Sequence, residues 1–127
     1  MKMPITPTQG LLALILLLAS VGMARAEGDD AHGQELFGRC VACHSLDAGK
    51  NLAGPSLSDI IGRKAGTIPG YRYSPAMVHS GLVWDRATLD KFLAAPAKLV
   101  PGGKRHISMP NAMDRADVIA YLATVLP

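Results

Sequence analysis

Cys40-Val41-Ala42-Cys43-His44 is the stretch on which the reading of this chain turns. Its C-x-x-C-H spacing is the one that attaches a c-type haem. Two thiols add across the haem vinyl groups as thioethers, and the adjacent His is held where a ring nitrogen can ligate the iron. These are the only two cysteines in the chain, so none remains for another disulfide or a cysteine-rich metal site. Three other readings compete. A thioredoxin-like redox pair needs C-x-x-C beside a βαβ pattern, and no parallel-strand run is visible. A zinc site needs a fourth ligand, usually from a second C-x-x-C or a His pair. His32, His79 and His106 are scattered singly. A plain Cys40–Cys43 disulfide leaves His44 unexplained.

Upstream of the motif, Lys2 supplies a positive n-region, Leu11 to Leu18 is apolar, and Ala24-Arg25-Ala26 is an A-x-A cleavage pattern. Residues 1–26 are therefore expected to be a cleaved signal peptide, leaving a mature domain over residues 27–127. The apolar run is too short to favour a permanent membrane span. Cleavage removes Lys2 and Arg25, so 11 of the 13 basic side chains remain against 10 acidic ones. A balance near +1 argues against a nucleic-acid role, which needs a strongly basic, clustered surface. The mature part is one small domain with few aromatics for its core. A covalent haem supplies the missing apolar bulk, and the haem-free chain is expected to fold poorly.

The rest of the chain reads all-α, with no strand signal. Asp29 and Asp30 cap a helix through Phe37 that places Leu36, Phe37 and Cys40 on one face. Leu46 to Ser74 is rich in Gly, Pro and Ser and reads as loop, with a helical turn at most over Leu57–Ile61. Ser74-Pro75 starts a short helix to His79. Asp85 caps a helix carrying Leu89, Phe92 and Leu93, ended by Ala95-Pro96. Val100 to Pro110 is loop. Asp114 is expected to cap a last helix from Arg115 to about Leu126. Long loops of this kind need something flat and apolar to pack against.

The ordered set around the motif resembles the class I c-type cytochromes, most closely the mitochondrial cytochrome c and bacterial cytochrome c2 group. The resemblance covers the whole mature part. It runs through Gly33 and Phe37, Asn51 to Leu57 with its Gly54-Pro55, Gly62 to Gly66, Gly70 to Ser74, Trp84, Pro101 to Lys104, and Arg115 to Leu122. It implies an all-α cytochrome c fold, short helices and long loops around one covalent haem c. It implies that the Pro55 carbonyl accepts from the ring N–H of His44, and that Arg63, Tyr73 and Trp84 surround a haem propionate. It also implies that Gly33 meets Tyr121 where the first and last helices cross.

Two positions depart from the family. Family members commonly place a Met, the second axial ligand, after Pro-Gly-x-Lys; here Arg105 stands there. Arg does not deprotonate and is a poor ligand. Met109, four residues on, is taken as the sixth ligand, with His106 (a bis-His iron), Met113 or an open site as alternatives. Met77 reads as core. Phe92 replaces a Tyr of the mitochondrial members, which removes a donor near the axial ligand.

The function implied is one-electron transfer in the periplasm, by a monomeric carrier with no membrane span after processing, between membrane redox complexes or periplasmic oxidoreductases. No catalytic residue is assigned and no enzyme activity is expected. The alternative is a haem-based small-gas sensor, or a haem subunit of a redox enzyme, with a labile sixth ligand. Lys98, Lys104 and Arg105, with Lys64, are the candidates for steering an acidic partner.

Overall fold

A computed structural model describes residues 27–127; the expected signal peptide lies outside the described residues. Among the described residues there are five helices and no strand. They are α1 (Asp30–Phe37), α2 (Pro75–Val78), α3 (Arg86–Ala94), α4 (Pro96–Leu99) and α5 (Ala112–Leu122).

Each helix start has a local cause. The Asp29 carboxylate accepts from the N–H groups of Ala31 and His32, satisfying donors that the first turn of α1 leaves free. Ser74 does the same for Met77, and Pro75, which lacks an N–H, begins α2. Asp85 accepts from Thr88 N–H at 2.7 Å to open α3.

Three expectations require correction. Asp114 does not cap the last helix: Asn111 does, its Oδ1 accepting from Met113 and Asp114 N–H, so the helix begins at Ala112 and Asp114 lies in its first turn. That helix also stops at Leu122 rather than near Leu126. Thr124 turns its hydroxyl back onto the Tyr121 carbonyl at 2.7 Å, a local bond that competes with continuing the helix. Pro96 ends α3, as expected, but also starts α4, because a proline is tolerated at the first position of a helix. Over Leu57–Ile61 there are turns and no helix; Asp59, at φ 51°, leaves the right-handed region there.

α1 and α5 cross at Gly33. A Cβ on Gly33 would lie 2.0 Å from the Asp117 carbonyl oxygen and 2.9 Å from Tyr121 Cβ, so only glycine permits this approach. Phe37 packs tilted on Tyr121 beside it, with ring centroids 5.6 Å apart. The crossing is also polar. Asp117 accepts from Asp29 N–H and pairs with His32 Nδ1, both at 2.7 Å. Behind it the core joins Phe37, Val118, Ile119 and Leu122 to Leu89 of α3 and to Trp84, Ile60 and Ala65 from the loops. Trp84 and Arg63 are placed together by their backbones: Gly62 N–H donates to Trp84 C=O and Trp84 N–H to Arg63 C=O, each at 2.9 Å. An isolated antiparallel bridge, Lys64 to Val83, continues that pairing.

Candidate haem site

The loops and helices enclose a cleft of about 420 Å³, lined mainly by carbon. That is within the span of cofactor sites, roughly 300–1,000 Å³. Its floor is the core: Phe37, Leu89, Phe92, Val118 and Leu122. Cys40, Cys43 and His44 form one wall, and both thiols are free. α1 delivers this turn, since Cys40 N–H donates to Phe37 C=O at 2.7 Å and His44 N–H to Cys40 C=O at 2.9 Å. The turn is then tied to the next loop by Gly54 N–H to Cys43 C=O at 2.7 Å.

His44 is seated by two contacts. Its Nδ1 lies 2.7 Å from the Pro55 carbonyl oxygen, which can only accept. Nδ1 therefore carries the proton, and Nε2 is left with its lone pair, as a metal ligand requires. Gly54 lies against the ring itself. A Cβ there would be 2.3 Å from Cε1 and within 2.8 Å of both ring nitrogens. Burial pushes the His44 pKa below its ordinary value, against the Pro55 bond that raises it. The ring is thus held neutral, the form that ligates. Burial likewise raises the pKa of the free Cys40 thiol.

Arg63, Tyr73 and Trp84 all line the same cleft, as does Pro55. Arg63 already spends two donors inside the protein, on the carbonyls of Ser58 (3.0 Å) and Ser56 (2.9 Å). It therefore braces the loop as well as presenting a cation to the cleft. Tyr73 accepts from Ile68 N–H, which leaves its hydroxyl hydrogen free to donate. Trp84 is 6 % exposed and packs on Phe92, with centroids 4.9 Å apart.

The loop after Gly103 supplies further lining. Arg105, His106 and Ile107 line the cleft, and so does Met77. Met109 is not among the lining residues; it is half-buried against the core. Its backbone is held at both ends, N–H by Leu93 C=O at 2.7 Å and C=O by Arg115 at 3.0 Å. Met113 is 76 % exposed. Sequence reasoning gave Gly54 no role at the ligand and placed Arg105 among the steering charges rather than in the cleft. The signal for Arg105 was its place after Pro-Gly-Gly-Lys; for Gly54 it was only adjacency to Pro55.

The cleft is an apolar slot with two free thiols and one neutral imidazole on a wall. That donor set fits a covalently attached haem. It does not fit zinc, because among the described residues no group of three or more His, Cys, Asp or Glu side chains converges. The Cytochrome c family model matches residues 31–126. The chain belongs to the cytochrome c family. It is 48 % identical over 103 residues to the cytochrome c2 of Rhodomicrobium vannielii, covering 80 % of this chain and 82 % of that one. It is 50 % identical over 90 residues to cytochrome c2 iso-2 of Magnetospirillum fulvum, covering 70 % and 94 %. Among solved structures, cytochrome cH from Methylobacterium extorquens superposes with a TM-score of 0.72 at 43 % identity, covering 76 % of this chain and 99 % of that one. As a cytochrome of the c2 kind, the chain carries one covalent haem c and has the fold of a single-haem electron carrier. No helix among the described residues is long and apolar enough to cross a membrane.

Proposed function

We propose that this cytochrome is a periplasmic one-electron carrier. The observation that carries the reading is the seating of His44, its Nδ1 on Pro55 and its ring against Gly54, with two free cysteines lining the same apolar cleft. Cys40 and Cys43 would attach the haem and His44 would ligate its iron. Bound there, the haem supplies the ferric–ferrous couple. The protein supplies the rest. Pro55 fixes the imidazole orientation and raises its basicity. Arg63 and Tyr73, with Trp84, meet the propionates, whose burial is costly without donors. Met109, half-buried against core residues that also line the cleft, remains the proposed second axial ligand, with His106 and Met113 as the alternatives.

Cys43 is exposed whereas Cys40 is half-buried, so of the two attachment points Cys43 is the one that a partner could approach. The donors and acceptors are membrane redox complexes or periplasmic oxidoreductases. The chain reaches them through cleavage after Ala26. No substrate chemistry is needed, so the protein is not an enzyme. Lys98 is exposed at the last turn of α4 and is suited to steering an acidic partner. Lys104 is also exposed but donates to the Arg72 carbonyl and lies 5.3 Å from the Tyr71 ring centre, so its loss disturbs the fold as well as the charge.

The test is stopped-flow oxidation of the ferrous holoprotein by membranes of its own host. The expected result is rapid oxidation that slows as salt rises. Lys98→Glu is expected to lower the association rate at low salt by a few-fold, with the two curves converging at high salt. Ferrous protein that exchanges no electron with those membranes or with the soluble periplasmic fraction would overturn the carrier reading.

A further inference from the structure

Pro55 holds His44 through one peptide group, and that group has a second partner. The unit between Pro55 and Ser56 carries one acceptor and one donor. Its C=O lies 2.7 Å from His44 Nδ1. Its N–H donates to Asn51 Oδ1 at 3.0 Å. At the other end of the same side chain, Asn51 Nδ2 donates to the Pro69 C=O, also at 3.0 Å. A backbone N–H only donates and a carbonyl only accepts, so these two partners fix which end of the amide is oxygen. The three hydrogen bonds therefore run in one sense. They lead from the imidazole N–H through the peptide and the Asn51 amide to Pro69, so that each polarises the next. Ser56 is fully buried, and Arg63 holds its C=O at 2.9 Å, so the peptide has no room to turn its N–H to water.

We propose that Asn51 is a positioning residue for the ligand histidine: by binding the N–H of the Pro55–Ser56 peptide it strengthens the acceptor that holds His44, and so lowers the reduction potential. The inference rests on His44 as a ligand of covalent haem. An amide whose N–H is bonded carries more negative charge on its oxygen. A stronger acceptor draws the Nδ1 proton further and makes Nε2 a more basic donor. Hydrogen bonding around an axial ligand is one of the levers by which a protein sets its couple, and a more basic donor favours ferric over ferrous iron. Asn51 acts from outside the cleft, since it is not among the residues that line it. Its loss need not part the two loops it joins. The Tyr71 hydroxyl donates to the Ala53 C=O at 2.9 Å, a second tie between the same segments.

The test compares the parent holoprotein with two variants by redox titration and by proton NMR of the His44 ring N–H. Asn51→Leu removes both bonds. It is expected to shift the ferric–ferrous equilibrium at least threefold toward the ferrous form, about 28 mV for one electron, and to speed solvent exchange of the ring N–H. Asn51→Asp keeps an acceptor for the Ser56 N–H and gives up the donor to Pro69. It is expected to keep the slow exchange and not to raise the potential. A side chain that merely tied the loops together would move both variants in the same direction. Equal rises in the two would therefore overturn the proposal, as would an Asn51→Leu protein with the parental potential and exchange rate. Asn51→Ala, a smaller deletion with the same expected direction, takes the place of leucine if that variant fails to hold haem. If the denatured parent retains no covalent haem, or if the parental spectrum survives His44→Ala, the haem assignment fails first and this inference falls with it.

Discussion

Gly54 shows how one missing methyl group seats a ligand. Its backbone N–H holds the Cys43 carbonyl, and its Cα lies so close to the imidazole that any Cβ collides with three ring atoms. The far end of a flexible chain can move aside; a ring fixed at Nδ1 by Pro55 cannot do so without losing that bond. Gly54→Ala is therefore expected to destabilise the holoprotein by about 1–3 kcal/mol, the usual cost of forcing extra volume into packed space. It should also lower the haem retained per chain. Thermal melts and haem-to-protein absorbance ratios check this, and an alanine variant with parental values of both would refute it. His44, Cys40 and Cys43 are legible because their chemistry depends on spacing within five residues. The role of Gly54 depends on a contact across ten residues of chain, which no local pattern carries.

The last helix takes its start from Asn111, not from Asp114. Asn111 keeps an extended backbone (φ −72°, ψ 120°) that lets its side chain fold over two free N–H groups. Asn111→Ala is expected to cost about 1 kcal/mol, or roughly 4–8 °C in Tm for a domain of this size. Asp114→Ala should cost less, since it loses only a favourable charge in the first turn. Equal losses from the two would return the cap to Asp114. The α1–α5 crossing carries a pH dependence. His32 has its pKa raised above 6.5, chiefly by the hydrogen bond to Asp117. Asp117 has its own lowered below 3.8, chiefly by the bond to His32. The raised His contributes stability that is complete below about pH 6.5 and disappears as pH rises through its folded value. The lowered Asp contributes stability that is complete above about pH 3.8 and disappears as pH falls through its folded value. The pair thus stabilises most between about pH 4 and 6.5. The stability difference between the parent and His32→Ala is expected to be largest in that window and to shrink toward pH 8. Urea unfolding at stepped pH measures it, and a difference independent of pH would contradict the assignment.

The folded domain is built around the volume it leaves free. Phe37, Trp84, Leu89, Val118 and Leu122 belong to the buried core and also line a cleft of about 420 Å³. Without a filler, that apolar surface is wetted or the loops collapse onto it, and a small domain has little stability to lose. The double variant Cys40→Ser, Cys43→Ser is expected to have much less helix by far-ultraviolet circular dichroism than the holoprotein and to melt without a cooperative transition. A full helical spectrum with a sharp melt would show that the protein core suffices without haem.

The covalent haem motif, the all-α class and the capping residues Asp29, Ser74 and Asp85 were readable in the chain, whereas the glycine at the helix crossing was reached only through the family resemblance. The readable features rest on short-range stereochemistry or on a compact motif: a spacing, a cap, a proline at a helix start. The choice between Asn111 and Asp114 was not readable, because both are good caps and only the path of the chain out of Pro110 decides which one reaches free N–H groups. The part of the cleft lining that comes from the loop after Gly103 was not readable either. Arg105 and Met109 stand four residues apart in one loop, and nothing in that spacing says which residues of the loop line the cleft. The fold decides it: Leu93 and Arg115, on two different helices, hold the Met109 backbone, while Arg105, His106 and Ile107 line the cleft.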